Sequence, residues 1–347
     1  MLRRIPRITV RDHVWLTALV SLVILFLLGW KAGARVEVLQ AQSQRLNWAM
    51  FAGILVLSAL WHTLVGADKW WRILRAQGGD VRYWEVFRVR LGSDPIRFAT
   101  PMKAGEVVNA AYFAKREELG FSRAAGSIVF DKSLNFFGTV FWLYVGVAAL
   151  AELPAAGYLG LHTALGIAVL AVVALRPVRQ AAVVVAARIH PKLGRLATGV
   201  LSAFEEFSPL QKIGFLLYGI VFQLRPLAVC ALLFLAMQPD RVPSLQEFLA
   251  LGSVVVLMSN IPSLGGIGPR EATLMAVFAG YADPATLFSV GLMMSFAVQV
   301  LPALLGIPLM FPLLRAVTPQ PHDAAEPRPG AAAADPRDAQ LPVAQEE

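Results

Sequence analysis

Apolar residues along this chain come in runs rather than in alternation with polar ones. Several stretches of about 17–25 residues carry few or no charges, each long enough to cross a hydrocarbon core of about 30 Å as a helix. The first, Val14–Trp30, reads VWLTALVSLVILFLLGW and follows Arg3, Arg4, Arg7 and Arg11. Further complete spans are predicted at about Leu46–Gly66, Ala125–Leu150, Gly157–Leu175, Ile213–Met237 and Ala285–Leu314, six in all. Two other apolar regions, about Tyr83–Phe113 and Phe248–Tyr281, hold Pro and Gly near their middle. Each of these is expected to enter and leave the membrane on the same side. The short alternating strands of a transmembrane barrel are absent. The pattern predicts an all-α polytopic membrane protein with six full spans and two oppositely oriented re-entrant segments. A cleaved signal peptide is the competing reading of the first run, because Ala32-Gly33-Ala34 loosely fits a cleavage site. That run is longer than the usual 7–15-residue signal core.

Composition agrees with the pattern. Hydrophobic residues make up 57% of the 347 and charged ones 16%, against about 45–50% and about 25% in soluble proteins. This excludes a soluble enzyme and a disordered chain. Cys230 is the single cysteine, so no disulfide forms within the chain. The net charge of +8 is distributed unevenly. With the N-terminus inside, the inner segments hold 24 Lys and Arg and the outer ones 4. This bias places both termini in the cytoplasm. It also requires both interrupted segments to be re-entrant, or one to be split into an even number of passes. The remaining cations, Lys132, Arg225 and Arg270, fall inside apolar segments.

The order is span, span, interrupted segment, span, and then the same again. After a basic cytoplasmic N-terminus (1–13), the first membrane repeat covers 14–150 and the second 157–314; 315–347 reads as a disordered cytoplasmic tail. With three spans per unit, the second repeat is inverted. Paired broken segments in inverted halves point to a transport site near the midplane.

The interrupted segments share chemistry. The first reads Thr100-Pro101-Met102-Lys103-Ala104-Gly105-Glu106, and the second contains Pro262-Ser263-Leu264-Gly265-Gly266-Ile267-Gly268-Pro269-Arg270-Glu271. In both, Pro ends a helix, Gly permits a tight turn, and Glu opens the next helical stretch. The free N–H groups of a helix start attract anions, and Lys103 and Arg270 add full positive charge. Such breaks at membrane depth need burial or a wet cavity, so a polar cavity suited to an anionic head group is expected.

PSLGGIGPRE resembles the Pro-x-x-Gly-Gly-x-Gly-x-Arg-Glu signature of the lysylphosphatidylglycerol synthase transmembrane-region family, and PMKAGE is similar to that family's Pro-x-(Arg/Lys)-x-Gly-Glu motif. The resemblance covers about residues 10–315. It implies translocation of lipids or lipid-linked molecules between leaflets, without the separate aminoacyl-transfer domain, since about 33 residues follow the last span. Two departures stand out. Phe98-Ala99-Thr100 occupies the place of a frequent Asn, and Phe130-Asp131-Lys132-Ser133 that of an Arg-Asp pair.

Ionisable groups at membrane depth are costly and mark function. The candidates for substrate binding or transport are Lys103, Glu106, Asp131, Arg225, Arg270 and Glu271. Pro101, Gly105, Pro262, Gly265, Gly266 and Gly268 shape the two turns. Glu106 and Glu271 serve either as transport carboxylates or as helix caps, and Lys103 and Arg270 either as phosphate ligands or as partners of the neighbouring Glu. Asp131 shares a helix face with Asn135 and is expected to reach Lys103 or Arg97, but not the adjacent Lys132. Arg225, at the kink of Pro226, is expected to face the cavity near Gln223. Trp48, Trp70, Trp71, Tyr83 and Trp84 read as interfacial aromatics, and Lys69–Arg97 as a basic cytoplasmic surface. Scattered histidines support no metal site. No cofactor, nucleic-acid partner or nucleophile set is indicated. The leading expectation is a non-enzymatic lipid flippase of the bacterial inner membrane whose partners are its lipid and the bilayer. A membrane enzyme acting on head groups and a non-transporting partner of an envelope pathway are the alternatives.

Overall fold

The computed structural model describes residues 10–318, except 34, 101–104, 116–118, 149–163, 165, 169, 173–174, 203, 238, 240, 262 and 264. The tail predicted over 315–347 therefore lies almost wholly outside the described residues. Among those described, regular structure is entirely helical. We number the helices α1 (Val10–Lys31), α2 (Val36–Arg45), α3 (Trp48–Ala76), α4 (Tyr83–Ala99), α5 (Glu106–Lys115) and α6 (Phe121–Ala148). There follow α7 (Arg176–Ile189), α8 (Pro191–Ser202), α9 (Pro209–Ala236), α10 (Leu245–Met258), α11 (Pro269–Val277) and α12 (Pro284–Val317).

Helices α3, α9 and α12 are long and apolar enough to cross a membrane, and a fourth span results if Gly166–Val172 and α7, bent by 98°, count as one. The structure thus displays three or four clear spans where the hydropathy runs predict six. Helix α6 has 28 residues, but Asp131, Lys132, Ser133 and Asn135 dilute its apolar character. Most of the predicted span over 157–175 lies outside the described residues. Large apolar side chains such as Phe26, Leu57, Leu217 and Phe311 are exposed on the outside, as expected where the surrounding medium is lipid.

Each interrupted segment is a helix, a break and a second helix. The first comprises α4 and α5, the second α10 and α11, and in both the two arms pack on each other. Helix starts follow local rules. Ser208 and Ser244 accept from the N–H of Gln211 and Glu247, whose side chains return the bond to the cap N–H. Helix α9 is broken at Gln223 between its two halves, where Pro226 has no N–H to continue the ladder.

Two aromatic clusters hold the helices. Phe130 of α6 packs on Phe204, Phe207 and Phe215 with ring centroids 5.1, 4.5 and 5.7 Å away. Phe234, Phe248 and Phe278 join α9, α10 and α11 at 5.5–5.8 Å. Helices α6 and α9 cross closely, because a Cβ on Gly138 would stand 2.5 Å from the Gly219 carbonyl oxygen. Small residues allow this approach where lipid gives no hydrophobic push between helices.

Helices α3 and α12 each contain one π turn, Trp61–Val65 and Phe296–Val300. The hydroxyls of Tyr83 and Tyr218 donate to the Leu64 and Val65 carbonyls at 3.1 and 3.3 Å, and Ser58 ties α3 to the second π turn through the Ala297 carbonyl at 3.2 Å.

Gly138→Val is expected to lower the thermal midpoint in detergent, because backbone meets the added atoms; overpacking of this kind costs about 1–3 kcal/mol. An unchanged midpoint would show that the crossing is not tight.

Candidate functional site

A cavity of about 400 Å³ opens among α3, α4, α5, α6, α9, α10, α11 and α12, beside Ser259–Ile261, Ser263 and Gly266. Arg90, Arg97, Lys132, Arg225 and Arg270 line it, with Glu106 the single carboxylate among the lining residues. Neutral polar groups complete the wall, among them His62, Asn135, Thr139, Gln223, Ser259 and Gln299.

On one wall the charges neutralise each other in a chain. Glu106, the first residue of α5, pairs with Lys132 Nζ at 2.6 Å and Arg97 Nη1 at 3.4 Å. Arg97 also pairs with Asp94, one turn back on α4, and Asp94 with His62 Nε2 at 2.8 Å. Behind them lies Asp131, ion-paired with Lys69 Nζ at 2.8 Å and 4.0 Å from Arg90 Nη1. Lys69 is fully buried, bonded to Asn135 and 4.3 Å from the centre of the Phe222 ring. Asn135 Nδ2 in turn donates to Asp131 Oδ2 at 3.3 Å, in keeping with their shared face.

The turn before α5 is held by Thr100, whose hydroxyl accepts from the Gly105 N–H at 2.9 Å and donates to the Ile96 carbonyl. A Cβ on Gly105 would stand 2.5 Å from the Arg97 backbone nitrogen. Glycine therefore lets Glu106 come down beside Arg97.

The opposite wall is built differently. Gly265, Gly266 and Gly268 have φ of 58°, 81° and 98°, a region closed to most side chains. The turn aims Arg270 at three oxygens: Ser295 Oγ at 2.8 Å, Ser259 Oγ at 3.0 Å and the Gly265 carbonyl at 3.3 Å. Glu271 is fully buried and accepts from the Gly268 N–H at 2.6 Å and from Ser295 Oγ. Ser295 thus bridges Arg270 and Glu271. Arg225 sits across α9's break with Nη1 3.5 Å from the Ser58 carbonyl and hydroxyl, and its Nε has no partner. No carboxylate among the described residues forms an ion pair with Arg225 or Arg270, and both line the cavity.

The structure brings Glu106, Arg225 and Arg270 to one cavity. Asp131 stands behind its wall, against a small recess that Arg90, Arg97, Glu106 and Lys132 share. Glu271 caps α11 and props Arg270 instead of lining the cavity. Lys103, Pro101 and Pro262 lie outside the described residues. Three readings are corrected. Asp131 takes Lys69 as its close partner, and Lys132 does come within 3.7 Å of it, because its long stem folds back toward Glu106. The stretch Lys69–Arg97 is not a uniformly exposed basic surface, because Lys69, Arg90 and Arg97 are buried. Trp70 is buried too, its Nε1 donating to Ser127 Oγ at 2.9 Å. Lys69 and Trp70 share one reason. Helix α3 runs ten residues past the predicted end at Gly66, to Ala76, and turns a face bearing Lys69, Trp70, Ile73 and Leu74 into the protein.

His62, Lys69, Arg90 and Asp94 were not among the candidate site residues read from the sequence. A signal was present: Arg90, Asp94 and Arg97 stand at i, i+4 and i+7, one face of a helix, in a segment already marked as a broken membrane element.

These features define a polytopic helical membrane protein with a buried, cation-rich cavity between two broken helical segments. Over residues 14–306 the chain matches the family described as the lysylphosphatidylglycerol synthase TM region; it belongs to that family. Searches among curated proteins and among solved structures find no match.

Lys69→Met should destabilise the protein strongly, since breaking a buried pair costs about 3–5 kcal/mol. Adding Asp131→Asn removes the stranded charge and should recover most of the loss in a thermal or denaturant titration. A double variant as unstable as Lys69→Met would show that the ion pair is not what holds α3 to α6.

Proposed function

We propose that this chain transports a lipid or lipid-linked molecule with a polar, charged head group between the leaflets of a bacterial inner membrane. The cavity carries the reading. It is walled by both broken segments, has room for a head group, and gathers five cations against one carboxylate. A lipid's chains can stay in the bilayer while its head enters such a space, which keeps the charge away from hydrocarbon.

The finer architecture follows from the same reading. The chain forms six spans with two re-entrant segments, α4–α5 and α10–α11, in two inverted repeats with both termini cytoplasmic. Alternating access would open the cavity first past one break and then past the other. Lys103 and Glu106, backed by Asp131, form the cytoplasm-facing half-site, and Arg270, braced by Glu271, the other. The protein is a carrier and not an enzyme in this view. Its partners are its lipid and the bilayer, and it needs no cofactor.

Liposomes carrying labelled phosphatidylglycerol, its aminoacylated form or a polyprenyl phosphate test this directly. The wild type should exchange one of these between leaflets. Glu106→Gln and Arg270→Ala should each slow that exchange by about tenfold or more, the equivalent of one lost contact of about 1.4 kcal/mol. Exchange untouched by either substitution would remove these residues from the transport site, and no exchange of any of the three lipids would move the reading to a non-transporting partner of an envelope pathway.

A further inference from the structure

One titratable pair in the cavity wall has no part in that reading. His62 lies in the π turn of α3, with Nε2 2.8 Å from Asp94 Oδ2. Asp94 is ion-paired with Arg97 and, as a carboxylate, only accepts. Nε2 therefore carries the ring proton and donates it. That leaves the lone pair on Nδ1, which is buried and has no partner. Buried acceptors left open are rare, and an imidazole nitrogen is the one side-chain acceptor whose ordinary titration falls near neutrality.

The charges around it come from several helices. Helix α4 contributes Asp94, Arg97, whose Nη2 lies 3.4 Å from the ring, and Arg90 on the same cavity wall. Helix α9 contributes Arg225, which reaches Ser58, one turn before His62 on the same face of α3. Helix α5 contributes Glu106, one step further on through Arg97. The π turn of α12 contributes the neutral Gln299. A proton on Nδ1 would stand among guanidiniums, of which Arg225 forms no ion pair with a carboxylate among the described residues that would offset it. An anion entering the cavity supplies that offset.

Resting on the transport reading, we propose that His62 takes up a proton at Nδ1 when an anionic head group enters beside Arg225, so that the head group and the proton are carried together. The balance is simple: imidazole and a proton from cavity water give imidazolium, Asp94 stays ionised, and one negative and one positive charge enter as a pair. Linkage makes the effect reciprocal, so that lower pH tightens binding of the anion and the anion draws the proton.

Short-chain, water-soluble phosphatidylglycerol and its free head group glycerophosphoglycerol, both phosphodiesters that do not titrate between pH 6 and 8, are the probes. Binding to the purified full chain is followed calorimetrically at pH 6–8 in buffers of different ionisation heat, which counts protons taken up per ligand bound. The wild type should take up a substantial fraction of one proton, and its affinity should rise about fivefold or more from pH 8 to pH 6. His62→Gln should bind without proton uptake, whatever its affinity. Arg225→Gln should bind with reduced uptake, and it tests the coupling independently if His62→Gln fails to fold. Uptake with glycerophosphoglycerol as well as the lipid assigns the effect to the head group. Wild-type binding without proton uptake, or uptake that survives His62→Gln, overturns the proton proposal and leaves the transport reading standing. Failure of the wild type to bind either probe overturns the proton proposal as well, while the transport reading stands or falls separately on the leaflet-exchange assay.

Discussion

Asp131 lies buried in the middle of α6, and around it the helices have to arrange themselves. A carboxylate there has no water to return to, and an unpaired one would cost more than most single contacts can offset. Lys69 answers it from α3, Arg90 from α4 and Asn135 from its own helix. Each answer fixes a helix: α3 has to stay helical past Gly66 to present Lys69, and α4 has to lie against it to present Arg90. From this knot the charges step outward through Lys132, Glu106, Arg97 and Asp94 to His62, on the cavity wall. The ion pairs are thus a geometric device first. They set the relative rotation of α3, α4, α5 and α6 in a setting where apolar packing alone distinguishes poorly between one helix face and the next.

Much of this was legible in the residues, and the rest was hidden for a definable reason. Hydropathy located α1, α3, α9 and α12, and the Pro–Gly–Glu breaks located both interrupted segments to within a few residues. Arg225 and Arg270 were marked by being ionisable within apolar runs, and both line the cavity. Lys69, Arg90 and Asp94 were masked by their surroundings: each lies in a stretch with many other charges, where the simplest expectation is a solvated surface. What separates them from Arg72 or Arg82 is the direction in which they point, and direction depends on the helix phase and on which neighbours pack there. His62 was hidden by isolation, since a lone histidine near a span end carries no pattern. Only three or four of the six expected spans stand out in the structure as long and apolar, for a related reason. Hydropathy averages over a window, whereas α6 spends part of its length on a polar cluster.

The two similar motifs do different work. At the first, Glu106 faces the cavity and shares its charge between Lys132 and Arg97. At the second, Glu271 turns inward, closes the start of α11 on the Gly268 N–H and steadies Arg270 through Ser295. Equivalent sequence thus leaves one carboxylate on display and one in the scaffold. The wall with Glu106 is internally compensated, whereas the wall with Arg225 and Arg270 offers its cations to neutral oxygens only. An anion entering between them would meet an asymmetric field and be drawn to the second wall.

The π turn at Trp61–Val65 has a consequence for how such a helix can change over time. It widens one turn of α3 by a residue, so everything from Gly66 onward is rotated by about 100° relative to an unbroken α-helix. Upstream, Leu57 and Leu60 face outward; downstream, Lys69, Trp70, Ile73 and Leu74 face inward. The phase of the second half is therefore a matter of chain length rather than of side-chain identity. Losing one residue here would swing Lys69 off Asp131 and carry the whole inner stripe toward lipid, with every amino acid still of the right kind. Substitution can retune this site gradually, but an insertion or deletion in that one turn would dismantle it in a single step.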